Sequence, residues 1–119
     1  MLSSKQKESV NKISSYLISI RDEYQSELYS IENDMARVDM LIDEAKNSKI
    51  NLEATLDTSY MVLSSTQVAK EEEYAEIDSL EELILSRKKE LEDLNIKRKI
   101  ILEKLLEIDE IIECVKILI

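Results

Sequence analysis

The sequence predicts an all-α fold: an elongated antiparallel coiled-coil hairpin of two long helices. Three observations predict it. The 119 residues include no glycine and no proline. Glycine supplies positive φ for tight turns, and proline breaks helices and cannot donate to a ladder. A chain without either has few sites for β-hairpin turns or barrel corners. The composition is 44% hydrophobic and 35% charged but only 4% aromatic, with all five aromatics tyrosine. Such a chain is too apolar to read as disordered, and its Ile and Leu suit a narrow helical seam better than a thick core. Finally, apolar residues recur in alternating steps of three and four, the repeat of a left-handed coiled coil.

A seven-residue frame runs through most of the chain without a shift. One column reads Leu28, Met35, Ile42, Lys49, Leu56, Leu63, Lys70, Ile77, Ile84, Leu91, Arg98, Leu105, Ile112 and Ile119. The other reads Ile31, Val38, Ala45, Leu52, Ser59, Thr66, Glu73, Leu80, Arg87, Leu94, Ile101, Ile108 and Val115. From Ile77 to Ile119 eleven of thirteen such positions are apolar, the exceptions being Arg87 and Arg98, so the seam is strongest there. Upstream, Val10, Ile13, Leu17, Ile20 and Tyr24 continue the pattern. The step from Tyr24 to Leu28 then repeats a four, which predicts a stutter that locally unwinds the supercoil.

The helix starts are legible as caps. Ser3 followed by Gln6 has the spacing of a capping box, in which each side chain accepts from the other residue's backbone N–H. The same Leu-Ser-Ser-x-Gln string recurs at Leu63 to Gln67, with Ser64 as cap, Gln67 as partner and Leu63 and Val68 as the hydrophobic staple. Glu71, Glu72 and Glu73 follow, where the helix dipole favours negative charge. The seam also loses its apolar content here, at Ser59, Thr66, Lys70 and Glu73. These signals place the break near 63–66 in a single 119-residue domain, with arm 1 at about 4–62 and arm 2 at about 65–119. One uninterrupted rod is an alternative. A short middle helix from about Ile50 to Leu63 is another, because polar residues cluster at Asn47-Ser48-Lys49-Ile50-Asn51.

A helix of this kind needs company, since its seam is buried only when another helix covers it. Thirteen of the twenty residues from Ile100 to Ile119 are apolar, a wider face than a two-stranded contact hides. The expectation is a three- or four-helix bundle, reached by self-association into a homo-oligomer or through a protein partner. The expected partner-binding residues are Ile77, Leu80, Ile84, Leu91, Leu94, Ile101, Leu105, Ile108, Ile111, Ile112, Val115 and Ile119. Charge is blocked as well. Lys70 to Glu82 carries seven acids and one base, whereas Arg87 to Lys104 carries seven bases and four acids, a pattern able to set register in an antiparallel pairing.

Most chemistry is excluded by residue type. Without histidine there is no imidazole base and no imidazole metal ligand. Phosphate-cradling loops need glycine, and the single Cys114 cannot build a thiolate metal site or an intrachain disulfide. Ser-x-x-Lys spacings at Ser4/Lys7, Ser9/Lys12 and Ser86/Lys89 are helix-surface neighbours. No catalytic, metal or cofactor site is expected, no small-molecule substrate, and the chain reads as a non-enzyme. The net charge of −10 disfavours direct contact with nucleic acid or an anionic membrane. Met1 to Ile20 lacks the apolar run of a signal peptide, and the expected setting is the cytoplasm. The segment Lys97 to Glu113, KRKIILEKLLEIDEIIE, resembles the coiled-coil sensor region of a Gram-positive family of cytoplasmic histidine kinases. With no histidine to phosphorylate and no glycine-rich ATP lid, kinase activity does not come with that resemblance.

Three functions fit these bounds. The first is a protein–protein interaction module, an oligomerising adaptor or structural subunit. The second is a small acidic helical chaperone or targeting factor for a secreted or effector partner. The third is an acidic decoy that inhibits a nucleic-acid-binding protein by offering carboxylates in place of phosphates, a reading weakened by the bases from Arg87 to Lys99.

Overall fold

A computed structural model describes the backbone of residues 2–62 and 67–118, and the side chains of 2–56 and 71–118. The chain forms a hairpin of two helices, α1 (Ser4–Val62, 59 residues) and α2 (Gln67–Ile117, 51 residues). The expected break falls between them. The second cap, Ser64 with its Leu63 and Val68 staple, lies outside the described residues. The first cap forms as expected. The Ser3 backbone N–H donates to Gln6 Oε1 at 2.8 Å and the Gln6 N–H to Ser3 Oγ at 3.2 Å, while Lys7 N–H reaches the Ser3 carbonyl at 2.9 Å. The first two satisfy two of the orphan donors that open a helix, and the third is the first bond of the helical ladder.

No middle helix exists, because α1 runs unbroken through Asn47–Asn51. The polar residues there are harmless on a helix surface: Asn47, Ser48, Ile50 and Asn51 are exposed. Thr55 turns its hydroxyl back onto the Asn51 carbonyl at 2.9 Å, which occupies the side chain without breaking the ladder.

The two columns of the heptad frame, written a (the Leu28 series) and d (the Ile31 series), are the core. The buried hydrophobic residues are Val38, Ile42, Ala45, Leu56, Ile77, Ile84, Ile101, Leu105, Ile108 and Ile112, and every one of them occupies an a or d position. No described a or d residue from Leu28 to Val115 is exposed. The expected stutter is absent. Continued upstream in phase, the frame passes through Tyr24, Arg21, Leu17, Ser14 and Val10, and all five are half-buried. Ile13 is 52% exposed and sits outside the columns, while Ile20 is half-buried beside them. A strict heptad keeps its phase through two polar residues sooner than it shifts to collect one more isoleucine, because a shift would misplace every seam residue that follows.

The contacts divide the chain into two compact units. Unit 1 comprises Met1–Asn33 with Leu94–Ile119, and unit 2 is Asp34–Asp93. In unit 2 both helices contribute buried side chains: Val38, Ile42, Ala45 and Leu56 from α1, Ile77 and Ile84 from α2. In unit 1 the buried residues, Ile101, Leu105, Ile108 and Ile112, all come from α2. The facing α1 residues remain half-exposed. Pairing in unit 1 is antiparallel, since Glu32 meets Arg98 whereas Tyr24, earlier in α1, meets Lys104 later in α2.

Candidate interaction surface

Among the described side chains from Val10 to Val115, four cations stand at seam positions, and a cation there costs stability unless a carboxylate meets it. In unit 2, Lys49 Nζ lies 3.0 Å from Glu81 Oε1 across the hairpin and 3.7 Å from Glu53 Oε1 on its own helix. The hydrogen bond to Glu81 is the main reason the Lys49 pKa is raised above its ordinary value; desolvation opposes it, and the charges of Glu81 and Glu53 add smaller upward contributions. Arg87 Nη1 reaches Glu90 Oε2 at 2.8 Å. In unit 1, Arg98 Nε reaches Glu32 Oε1 across the hairpin at 3.2 Å. Arg21 is served less well: its guanidinium lies 3.8 Å from Asp22, and its Nε is buried with no hydrogen-bond partner. Among the described residues two ion pairs, Lys49–Glu81 and Arg98–Glu32, therefore tie one arm to the other, each within its own unit.

The residues expected to bind a partner are distributed unequally. Ile77, Ile84, Ile101, Leu105, Ile108 and Ile112 are buried within the hairpin itself, and Leu80, Leu91, Leu94 and Val115 are half-buried. Ile111 is exposed, and Ile119 lies outside the described residues. The chain's own first arm thus supplies much of the cover that the seam of α2 requires.

What the hairpin leaves uncovered is informative in unit 1. The a and d columns have two flanks, and one consists of the g and c positions beside the d column. On α1 those positions hold Ile13, Tyr16, Ile20, Glu23, Glu27 and Ser30; on α2 they hold Lys97, Ile100, Lys104, Glu107, Ile111, Cys114 and Leu118. Of the exposed large hydrophobics of unit 1, Ile13, Tyr16, Ile100, Ile111 and Leu118 lie on this flank, and Tyr29, Ile96, Leu106 and Ile117 lie elsewhere. The α1 half is hidden in the sequence because a stutter after Tyr24 would put Ile13 and Ile20 in the seam; with the frame in phase, both fall on the g line. In unit 2 the exposed Met40, Ile50, Tyr74, Leu83 and Leu85 scatter over four different heptad positions.

Part of the same flank is hollowed into an open groove of about 410 Å³, lined by Glu27, Ser30, Ile31, Lys97, Ile100, Ile101 and Lys104. Its floor is apolar, from Ile31 and Ile101, and its rims are charged. Lys104 Nζ stands 5.5 Å from the centre of the Tyr24 ring, a cation–π distance. A second open groove, of about 710 Å³, runs along the outer face of α1 among Ser15, Ile18, Ser19, Asp22, Glu23, Ser26 and Glu27. It is lined by one helix, and its polar groups reach solvent.

Among the described residues no group of three His, Cys, Asp or Glu side chains is placed to hold a metal ion. No described helix is long and apolar enough to cross a membrane. Comparison of the chain with known protein families, characterised proteins and solved structures finds no match.

Proposed function

We propose that the chain is a non-enzymatic coiled-coil interaction module, an oligomerising adaptor or structural subunit that works in the cytoplasm. The observation that carries this reading is the apolar flank of unit 1. A hairpin needing only itself would finish with polar flanks, whereas this one carries Ile13, Tyr16 and Ile20 at successive g and c positions of α1 and Ile100, Ile111 and Leu118 on the same flank of α2. A stripe wider than the two seam columns is the pattern of a helix in a bundle of three or more. The absence of histidine and glycine supports a binding role over a catalytic one, and a lone cysteine suits a reducing compartment. Sedimentation of the purified chain tests the reading. A species of at least twice the chain mass is expected, and a monomer at every accessible concentration overturns it.

The groove favours a second reading, a small helical chaperone that holds a client helix over Ile31, Ile100 and Ile101. On that reading the chain stays monomeric alone and becomes more soluble and more helical when co-expressed with its client.

A further inference from the structure

We infer that the occupant of the unit 1 flank is a second copy of this chain, with α1 of each copy laid against α2 of the other about a twofold axis parallel to the helices. The inference rests on the oligomerising reading above and specifies its surface and geometry.

Charge selects the partner. On the α1 side the flank carries Glu23 and Glu27, both exposed. On the α2 side it carries the exposed Lys97 and Lys104, with Glu107 as the one acid. Glu23, Glu27 and Lys97 make no ion pair among the described residues, and Lys104 is engaged only over the Tyr24 ring. One half of the face is therefore acidic and the other basic, with no bond neutralising them within the hairpin. A closed twofold contact uses one patch on both molecules, so the patch must complement itself. This one does so in one orientation only. With Tyr24 level with Lys104 and Glu32 with Arg98, an axis along the helices sets Lys104 of each copy between the heights of Glu23 and Glu27 of the other, while Glu107 falls level with Glu23 and Lys97 lies beyond the acids. An axis across the helices lays α1 on α1, where acid meets acid or covers isoleucine.

The apolar part of the face obeys the same operation. Tyr24 stands level with Lys104 and Glu32 with Arg98, so Tyr16 is level with the turn of α2 that carries Ile112 and Cys114. Ile13, Tyr16 and Ile20 on α1 therefore lie at the height of Ile111, Cys114 and Leu118 on α2, and a twofold along the helices maps one group onto the other. The α1 residues Val10, Leu17 and Tyr24, half-buried in the hairpin, lie next to this group and would complete their burial in the same contact. The product is a four-helix arrangement in which each contact between neighbouring helices is antiparallel.

The test uses charge reversal in the full chain. The variants E27K and K104E are each expected to keep their helicity and to dimerise about 10-fold more weakly than the parent, since like charges then face each other. Mixed together they are expected to form a heterodimer, because every reversed pair meets its complement again. The I13S/I111S double variant alters only exposed positions, and it is expected to become monomeric with its helicity intact. Parent chains that oligomerise while all three variants oligomerise equally well overturn this surface and leave the module reading standing. Variants that weaken without recovering on mixing overturn the twofold geometry. A monomeric parent overturns both proposals.

Discussion

Units 1 and 2 use one heptad frame for different ends. In unit 2 the frame closes on itself: α1 and α2 both bury seam residues, Val38 completely, and the exposed hydrophobics scatter. In unit 1 the burial is one-sided. Ile101, Leu105, Ile108 and Ile112 of α2 are covered, whereas the α1 residues that cover them stay half-exposed beside an apolar flank. The difference begins in sequence. The unit 1 seam of α1 contains Ser14 and Arg21 where apolar residues would complete the contact, and isoleucines instead occupy the g line at 13 and 20. A hairpin closes where apolar residues stay on two columns, and leaves apolar surface exposed where they spill onto a third.

The largest expected effect comes from charging the closed seam. Val38→Asp places an unpaired carboxylate at a fully buried position and is expected to cost about 3–5 kcal/mol, enough to unfold a marginally stable hairpin. Ile112→Asp, at 2% exposure in unit 1, is expected to do the same; helicity against denaturant measures both. Equal tolerance of aspartate at 38 and at the exposed position 85 would end the claim of a continuous seam.

Truncation sharpens the comparison. Ile42→Ala in unit 2 and Ile108→Ala in unit 1 are each expected to cost about 2–5 kcal/mol, while Leu85→Ala on the surface stays within about 0.5 kcal/mol. If unit 1 is completed by a second copy, the cost of Ile111→Ala on the exposed flank grows with protein concentration whereas that of Leu85→Ala does not.

The caps and seam charges act on a smaller scale. Ser3→Ala removes the acceptor for the Gln6 N–H and is expected to cost about 1 kcal/mol at the first turn, read as faster amide exchange there. Lys49 gives the smallest effect and a pH signature. Its pKa is raised in the folded chain, so it binds its proton more tightly folded than unfolded. Its contribution is complete below the ordinary lysine range, near pH ~10.4, and fades as pH climbs through the higher folded value. Lys49→Met is expected to flatten that alkaline decline in a pH series of thermal unfolding. An unchanged slope would show that the Glu81 bond contributes nothing in solution.

The seam was legible because burial on a helix follows spacing, and spacing is printed in the sequence: each buried residue, from Val38 to Ile112, could be placed in a column beforehand. The boundaries were legible too, since Ser3 with Gln6 announces a cap by side-chain chemistry alone. The phase between Val10 and Tyr24 was misread. Ile13 looked like a better seam residue than Ser14, and only the partner helix decides which of two adjacent residues faces inward. The carboxylates that answer Lys49 and Arg98 were equally hidden. A frame on each arm gives its own inward face, but the alignment of the arms selects Glu81 and Glu32 from the many acids available.

Those two ion pairs work as a vernier against sliding. A slip of α2 past α1 by one full heptad keeps every greasy residue pointing inward, so hydrophobicity alone barely resists it. In one direction the slip brings Lys49 onto Lys88, and in the other it brings Lys49 onto Tyr74 and Arg98 onto Gln25. Either displacement takes Glu81 from Lys49 and leaves it only the longer contact to Glu53 on its own helix, so the molecule can measure its own alignment one notch at a time.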